Sequence, residues 1–214
     1  MTAKVKRARR YDSTRRQDAA HRRRAAIVEA ARHRFVLDGF ATTTIARIAQ
    51  DAGVSVETVY KTFGNKVALV RAIRDRALAG EGPLHAERRS DRMQTGERDP
   101  HRIIRGWGVL TMEVAPRVAP VLLLVRDAAT NDPELSQLQK EMDAARLTRM
   151  EHNARTLLKG GHLRDGVTLA AATDVLWTYS SPELYELLVI RREWSVERYG
   201  QFIADAMIAA LLPS

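Results

Sequence analysis

A glycine near the middle of residues 42–63, "TTTIARIAQDAGVSVETVYKTF", separates two short helical patterns. The apolar residues before it recur at the three- and four-residue spacing of one buried helix face. They are Ile45, Ile48, Ala49 and Ala52. Gly53 ends that pattern, and Ser55 is a good N-cap for the next one. Two short helices joined by so tight a turn are suited to presenting the second helix to a partner.

The segments on either side continue the helical pattern. The spacing predicts a helix that begins at about Arg22 and ends at Asp38-Gly39, where glycine accommodates the left-handed conformation after a last turn. Thr43 or Thr44 is the predicted N-cap of the first short helix. After the second short helix, Asn65 is the predicted cap of a fourth.

The positive charge of the chain is concentrated around this motif. Residues 1–80 contain 18 Lys and Arg against 7 Asp and Glu, a net charge of +11, whereas the rest of the chain has 17 against 19, a net charge of −2. A basic excess confined to one end of the chain points to a polyanionic partner. A solvated basic face is the alternative.

The residues around the two short helices resemble the DNA-binding signature of the TetR family of bacterial transcriptional regulators. The matching elements are Gly39-Phe40, Thr43-Thr44, Ile48-Ala49, Ala52-Gly53-Val54-Ser55, Tyr60, Phe63 and Lys66. The match extends from about Arg22 to Ala77, roughly a quarter of the chain. The resemblance implies an N-terminal DNA-binding domain, a C-terminal helical ligand domain and a homodimer.

The resemblance also implies roles for individual residues. The first residues of the second helix would lie nearest the base edges, and hydroxyl and ammonium groups would hold phosphates. Lys61 and Thr62 would reach a base edge or the DNA backbone. The implied DNA-contacting residues are Thr43, Thr44, Ser55, Val56, Glu57, Thr58, Tyr60, Lys61, Thr62 and Lys66.

Four of these residues have alternative roles. Tyr60 could be packed against the protein with only its hydroxyl in water, and Lys66 could be a solvated residue at a helix start. Glu57 could accept a hydrogen bond from a cytosine amino group, although an orientation away from DNA is favoured. Val56 could contact a thymine methyl group.

Residues 1–20 are rich in arginine and poor in large apolar side chains, which predicts a flexible basic arm. Its arginines could enter an adjacent minor groove, especially a narrow A·T-rich one. A non-specific tether to a polyanion is the alternative. The candidate arm residues are Arg7, Arg9, Arg10, Arg15 and Arg16.

Composition also predicts where the domains lie. Residues 81–100 are rich in glycine and charge and read as a connecting segment between a DNA-binding domain at 21–80 and a second domain at 101–214. Few runs alternate apolar and polar residues. The predicted fold class is therefore all-α, with an N-terminal three-helix helix–turn–helix domain and a larger C-terminal helical domain for ligand binding and dimerisation.

The second domain has its own helical pattern. We expect a helix, a bend at Pro116 and Pro120, and a second apolar helix to about Ala129. A long helix from Pro133 to about Lys159 follows. Two more are predicted over 168–191 and 195–212.

Aromatic residues are concentrated in this second domain. They could line an apolar pocket, although ordinary core packing is favoured. The candidate ligand-binding residues are Trp107, Met112, Leu122, Val125, Met142, Met150 and Trp177.

The last two predicted helices have broad apolar faces. The resemblance implies that they pack against their copies in a homodimer, where small residues would permit close approach; these are Ala204, Ala206 and Ala210. A dimer would read the two halves of a palindrome one helical turn apart. An intramolecular hairpin in a monomer is the alternative.

Several classes of protein are disfavoured. The chain has no cysteine, and it lacks HExxH, P-loop, GxGxxG and GxSxG motifs, so no enzyme activity, metal or cofactor is predicted. The longest aliphatic run, Val121–Val125, is much shorter than the ~20 residues of a membrane span. No secretion signal follows the basic N-terminus. We expect a cytoplasmic protein that does not bind membranes.

The sequence therefore predicts a homodimeric repressor that binds a palindromic operator in double-stranded DNA and is released by an apolar small molecule. Three alternatives stay open: a ligand-independent DNA-binding or architectural protein, a transcriptional activator, and a basic protein of membrane surfaces.

Overall fold

The computed structural model describes residues 3–80 and 84–213, with side chains for residues 15–80 and 84–213, and within these ranges every regular element is helical. The helices are α1 Ala3–Asp38, α2 Ile45–Asp51, α3 Val56–Phe63, α4 Lys66–Ala79, α5 Ala86–Gly96, α6 Pro100–Ala129, α7 Pro133–Lys159, α8 Leu169–Tyr179, α9 Pro182–Tyr185, which continues as the π-helical turn Glu186–Ile190, and α10 Val196–Leu211. The all-α prediction is confirmed. The chain forms two compact units, which meet in sequence between Ile73 and Arg74, inside α4.

Local signals set the ends of the short helices in the first unit. The Thr44 hydroxyl accepts a hydrogen bond of 3.2 Å from the backbone N–H of Arg47, so Thr44 is the N-cap of α2. Gly53 and Gly64 adopt positive φ angles of 64° and 81° where α2 and α3 end. The Asn65 side chain accepts from Ala68 N–H at 2.8 Å and begins α4, as predicted. The core between the helices contains Ile27, Phe35, Ile48, Ala49, Val59, Leu69 and Ile73.

The first helix is longer than predicted. It begins at Ala3 rather than near Arg22. The added residues are mostly Ala, Arg, Lys and Gln, which have high helix propensity, so helix formation here needs no buried face of its own. Of the candidate arm residues, Arg15 and Arg16 are exposed on α1. Arg7, Arg9 and Arg10 lie outside the residues whose side chains are described.

In the second unit, α6 is one helix of 30 residues, so the predicted bend at Pro116 and Pro120 does not divide it. The two prolines are four residues apart, which places their missing hydrogen bonds on one side of the helix. Buried residues flank them, among them Ala119 and Val121. We infer that packing against the rest of the unit holds the helix together.

By length and composition, α6 could cross a membrane, because its most apolar 18-residue window has a mean hydropathy of 1.6. The short aliphatic run Val121–Val125 did not reveal this. The core helix of a soluble protein meets the same test when it is mostly buried. Ile103, Ile104 and Trp107 are buried within the unit, but only 28% of the apolar window is buried.

Two glycines bring α6 and α10 into backbone contact. A Cβ built on Gly108 would lie 2.7 Å from the Gly200 carbonyl oxygen, and one built on Gly200 would lie 2.9 Å from the Gly108 carbonyl oxygen. Ala204 packs at the same crossing and is 3% exposed. Ala204 therefore serves contact within the subunit, which corrects its predicted place in a dimer interface. Ala206 and Ala210 are half-buried.

Two predicted segments have different boundaries in the structure. The expected connecting segment contains the three-turn helix α5, whose buried side is Ala86, Ser90 and Gln94. The expected helix over 168–191 stops at Tyr179 and restarts at Pro182. Ser181 has extended backbone angles, because a residue before proline avoids the α conformation. The helices α7 and α10 have the predicted extents to within one residue.

Candidate nucleic-acid interface and ligand cavity

Helix α3 has one buried side and one exposed side. Val59 is 1% exposed and packs inward, whereas Val56 and Tyr60 are 40% and 53% exposed. Glu57, Lys61 and Thr62 are also exposed. Since Val56 and Tyr60 are four residues apart, they lie on one face of the helix. The structure thus brings these candidate residues together on an accessible surface.

Hydroxyl groups fix the start of this helix. The Ser55 side chain accepts from the backbone N–H of Thr58 at 3.2 Å, and the two hydroxyl oxygens are 2.8 Å apart. The Thr62 hydroxyl donates to the Thr58 carbonyl oxygen at 2.7 Å. Ser55, Thr58 and Thr62 therefore stabilise α3 through local hydrogen bonds, in addition to any contact that they make with DNA.

Thr43 does not belong to the exposed set. It is 2% exposed. Its hydroxyl donates a hydrogen bond of 2.7 Å to the Gly39 carbonyl oxygen and lies 3.1 Å from the Arg34 carbonyl oxygen. These contacts hold the turn between α1 and α2. The predicted DNA contact by the Thr43 side chain is wrong because the hydroxyl is buried, whereas the adjacent Thr44 is exposed.

Lys66 also has a different role from either of those predicted. Its ammonium donates to the carbonyl oxygens of Phe40 at 2.7 Å and Thr43 at 3.1 Å, and it lies 4.4 Å from the centre of the Phe40 ring. The group is part-buried and forms a structural link between the α1–α2 turn and α4. We infer that this link replaces the predicted phosphate contact.

An ion pair connects helix α2 to helix α1. Arg34 contacts both carboxylate oxygens of Asp51, with one nitrogen–oxygen distance of 3.0 Å, and lies 3.3 Å from Asp38. The hydrogen bonds that Arg34 donates to Asp51 lower the pKa of Asp51 below its usual value, and the same bonds raise the pKa of Arg34. The pair thus holds the end of α2 opposite α1.

A basic groove lies between α1 and α3; its α3 residues Thr58, Lys61 and Thr62 were predicted DNA contacts, whereas its α1 residues were not predicted. Its residues are Ala20, His21, Arg23, Arg24, Ile27, Thr58, Lys61 and Thr62. The Arg24 guanidinium lies 4.4 Å above the Phe63 ring. The run Arg22–Arg24 was a visible signal, but its distance from α3 depends on how the helices pack. We also note Arg47, an exposed cation on α2.

The second unit contains a cavity of about 240 Å³. Five of the predicted ligand-binding residues line it: Trp107, Leu122, Val125, Met142 and Met150. Met112 does not, because it packs over Gly200 where α6 crosses α10. Trp177 also lies outside the lining, and its indole ring is covered by the Arg146 guanidinium at 4.5 Å. The aromatic residues thus divide between cavity wall and core.

A buried polar network closes one part of the cavity wall. The Trp107 indole N–H donates to the Ser90 hydroxyl at 3.0 Å. The Gln94 side-chain amide donates to Ser90 at 2.9 Å and to Asn153 at 3.1 Å. Sequence reasoning missed these residues because α5 and α7 are far apart in the chain. The sequence signal for them is that Ser90 and Gln94 are four residues apart, which places both side chains on one side of a helix.

Arginines of the cavity wall are neutralised by carboxylates. Arg126 lies 2.9 Å from Glu186, and Arg149 lies 2.7 Å from Asp91. Arg146 lies 3.3 Å from Asp143 and 3.2 Å from the Ser180 hydroxyl. Burial lowers the pKa of Arg146 from its ordinary value, although Asp143 opposes this shift. The wall therefore combines apolar surface with internally matched charge.

Within the described ranges, no three side chains of His, Asp or Glu cluster as metal ligands. The exposed face of α3 and the cavity are therefore the candidate sites that the structure offers.

Comparison with known proteins connects the first of these sites to a family. Residues 27–73 match the family described as "Bacterial regulatory proteins, tetR family". The transcriptional regulator TtgR of Pseudomonas putida is 44% identical over 59 residues, and this match spans 28% of either chain. The regulator BetI 1 of Chromohalobacter salexigens is 29% identical over 140 residues, 65% of this chain and 69% of BetI 1.

A solved structure extends the similarity to the second unit. SmeT, the repressor of the Stenotrophomonas maltophilia multidrug efflux pump SmeDEF, has been solved in complex with triclosan. That structure superposes with a TM-score of 0.72 at 25% identity, and covers 90% of this chain and 92% of SmeT.

Proposed function

The chain belongs to the TetR family of bacterial transcriptional regulators, and from this premise we propose that it is a homodimeric, cytoplasmic repressor that binds a palindromic operator and is released by a small molecule in its second unit. The exposed side of α3 would enter the major groove of the operator, while α2 would brace it across the backbone.

One observation carries the proposal: α3 exposes Val56 and Tyr60 at its surface, whereas Val59 packs inward and is buried. A helix that presents its polar side at the surface, next to a basic groove, fits a polyanionic partner. The residues we propose as DNA contacts are Thr44, Ser55, Val56, Glu57, Thr58, Tyr60, Lys61 and Thr62, with Arg47, Arg15 and Arg16 as neighbouring cations.

A homodimer would place two copies of α3 on the two halves of a palindrome. Exposed apolar side chains near the end of the chain support self-association. Leu187, Ile190 and Phe202 are 48%, 50% and 39% exposed, and exposed apolar side chains of this kind are typical of interfaces where they form a contiguous patch. The half-buried Ala206 lies on the same helix as Phe202 and would allow close approach.

The cavity supports control by a small molecule. SmeT was solved with triclosan, a small molecule, and the second unit of this chain has a cavity of about 240 Å³. A ligand lowers DNA affinity only as far as it prefers the conformation that binds DNA poorly. Residues of α4 belong to both units, so α4 is the covalent link through which such a preference would act.

The first experiment selects duplexes from a random pool with the full chain and measures affinity for the selected duplex by fluorescence anisotropy. We expect a palindromic site, two protomers per duplex and release on addition of triclosan. Tyr60→Phe removes one exposed hydroxyl and should weaken binding about 3- to 10-fold at unchanged thermal stability. Recovery of no preferred sequence would overturn the repressor proposal.

The same binding assay separates the alternatives. A ligand-independent or architectural protein would bind the selected duplex but would not respond to any ligand of the cavity. Activation instead of repression would appear in a transcription assay in which a reporter promoter carries the selected duplex, because output would then rise with added protein.

A further inference from the structure

Two tyrosines lie side by side in the wall of the cavity. Tyr185 ends α9, and Tyr199 lies in the first turns of α10. Their ring centres are 5.5 Å apart and the ring planes are nearly perpendicular, at 87°. Tyr185 is 7% exposed and Tyr199 is 1% exposed, yet both line the cavity. Their rings therefore belong to the core, while the pair borders the space that a ligand would occupy.

Among the side-chain hydrogen bonds of residues 15–80 and 84–213, none involves either tyrosine hydroxyl, and neither hydroxyl is among the fully buried polar atoms that lack a partner. A fully buried hydroxyl without a partner would be costly, so the two hydroxyls are placed at the open space of the cavity that their residues line. Other polar groups of the wall do have partners. The Trp107 indole N–H is bonded to Ser90, and Arg146 is bonded to Ser180. The two tyrosine hydroxyls are thus available to a molecule in the cavity.

The charge state of the pair limits what that molecule can be. Burial raises the pKa of both Tyr185 and Tyr199 above 10, so both hydroxyls are protonated at neutral pH and can donate. Two arginines of the wall are matched by carboxylates, Arg126 by Glu186 and Arg149 by Asp91. An uncharged ligand leaves these ion pairs intact and needs no further charge to balance it.

Cavity volume limits the size. A cavity of about 240 Å³ suits a small organic molecule rather than a macromolecular segment. Aromatic compounds of one or two rings are therefore suitable probes. The aliphatic and thioether side chains that face it, such as Val118, Leu122 and Met142, favour an apolar body.

We propose that Tyr185 and Tyr199 form a donor pair that binds an uncharged, largely apolar effector through a hydrogen-bond-accepting oxygen, such as that of a ketone, ester or amide. This inference rests on the proposed function only in calling the ligand an effector. Recognition of the oxygen by the two hydroxyls is a property of the isolated protein and needs no DNA.

The test uses two probes that differ only in that oxygen. Benzophenone has a ketone between two phenyl rings, and diphenylmethane has the same rings without the oxygen. Binding of each to the full chain is measured by equilibrium dialysis, for the wild type, Tyr185→Phe, Tyr199→Phe and the double variant. Tyr179→Phe is the matched control, since Tyr179 is partly buried but does not line the cavity.

We expect the wild type and Tyr179→Phe to bind benzophenone more tightly than diphenylmethane. Each single Tyr→Phe change in the pair should weaken benzophenone binding by about 5-fold and leave diphenylmethane unaffected. The double variant should bind the two probes equally. Thermal stability without ligand should not fall in these variants, because the hydroxyl that each one removes has no partner.

Three results would overturn the inference: no binding of benzophenone, equal binding of the two probes by the wild type, or an unchanged preference in the double variant. A loss of thermal stability in Tyr185→Phe or Tyr199→Phe would also count against it, since it would mean that the hydroxyl already has a partner. Operator binding by the same preparations is measured in parallel. If operator binding persists, the proposed regulatory function stands even when the proposed role of the two tyrosines fails.

Discussion

The ammonium of Lys66, at the start of α4, donates a hydrogen bond of 2.7 Å to the carbonyl oxygen of Phe40, 26 residues earlier in the chain. A second hydrogen bond of 3.1 Å reaches the Thr43 carbonyl oxygen. Thr44, the residue after Thr43, caps α2. The Lys66 side chain therefore fixes the turn from which α2 begins. The position of α2, and of any phosphate contact at its start, therefore depends on Lys66.

Replacement of Lys66 by methionine keeps most of the aliphatic stem but removes the donor. We expect the free energy of unfolding to fall by about 1–3 kcal/mol, because two partly buried carbonyl oxygens lose a charged donor. Urea denaturation followed by circular dichroism measures this change. Operator affinity should fall with stability, while the slope of log affinity against log salt stays the same.

Lys61→Met is the matched control, since Lys61 is exposed on α3. Its stability should change by less than about 0.5 kcal/mol. Its operator affinity should fall at low salt, and its salt slope should fall by about one because one phosphate contact is lost. The opposite pattern, with the reduced slope in Lys66→Met, would restore Lys66 as a phosphate ligand.

Two adjacent threonines should respond differently to valine, which has the same shape but no hydroxyl. Thr43→Val removes a buried hydroxyl that serves the Arg34 and Gly39 carbonyl oxygens, and should destabilise the protein by about 1–2 kcal/mol. Thr44→Val removes an exposed N-cap and should cost about 1 kcal/mol.

Operator affinity distinguishes the two threonine variants further. At a temperature where both are fully folded, Thr44→Val should bind the selected duplex more weakly than Thr43→Val. Equal affinity would mean that the Thr44 hydroxyl does not contact a phosphate.

The Arg34–Asp51 ion pair predicts a pH dependence of stability. The folded-state pKa of Asp51 is lowered by its hydrogen bond from Arg34, so the pair stabilises the fold above the unfolded pKa of ~4 and loses this contribution as pH falls through the lower folded value. Asp51→Asn should therefore be less stable than the wild type at pH 7, and the difference should shrink below about pH 4. Chemical denaturation across this range measures it.

A double-mutant cycle provides the control for this ion pair. Arg34→Met and Asp51→Asn should have non-additive effects at pH 7, because each removes the same interaction. Additive effects at pH 7, or a difference that persists unchanged at low pH, would show that the pair does not contribute as the geometry indicates.

Contact between α6 and α10 predicts which glycine tolerates a methyl group. Gly200→Ala would place a Cβ 2.9 Å from the Gly108 carbonyl oxygen, a backbone atom that cannot move aside easily, and should destabilise the protein by about 1–3 kcal/mol. Gly96→Ala is the control, because its Cβ would meet nothing within 4 Å. That change should be neutral or slightly stabilising. Thermal denaturation compares the two, and equal stability would contradict the close crossing.

Residues that act over a few positions were predictable from the sequence. Ser55, Asn65 and Thr44 are caps because their side chains bond to backbone groups three residues away. The long helix α7 follows from Pro133 and an uninterrupted helical pattern. Such features depend on residues that lie within one or two helical turns of each other in the sequence, so they can be predicted from the sequence.

Roles that depend on distant partners were not predictable. Thr43 and Lys66 both matched a family signature, but their atoms contact the α1–α2 turn and its carbonyl oxygens. Met112 was as good a candidate as Met142, yet one packs over Gly200 and the other lines the cavity. A spacing pattern identifies the buried side of a helix but not which neighbour lies against it.

By itself, therefore, the sequence determined the helical class, the ends of most helices, the basic first unit and the family to which its motif belongs. Only the tertiary structure decided which polar groups form hydrogen bonds within the protein and which can bond to a ligand, as we propose for Tyr185 and Tyr199. The physical reason is that helix formation is governed by interactions within a few residues, whereas a hydrogen-bond partner or a cavity wall is assembled from helices far apart in the chain.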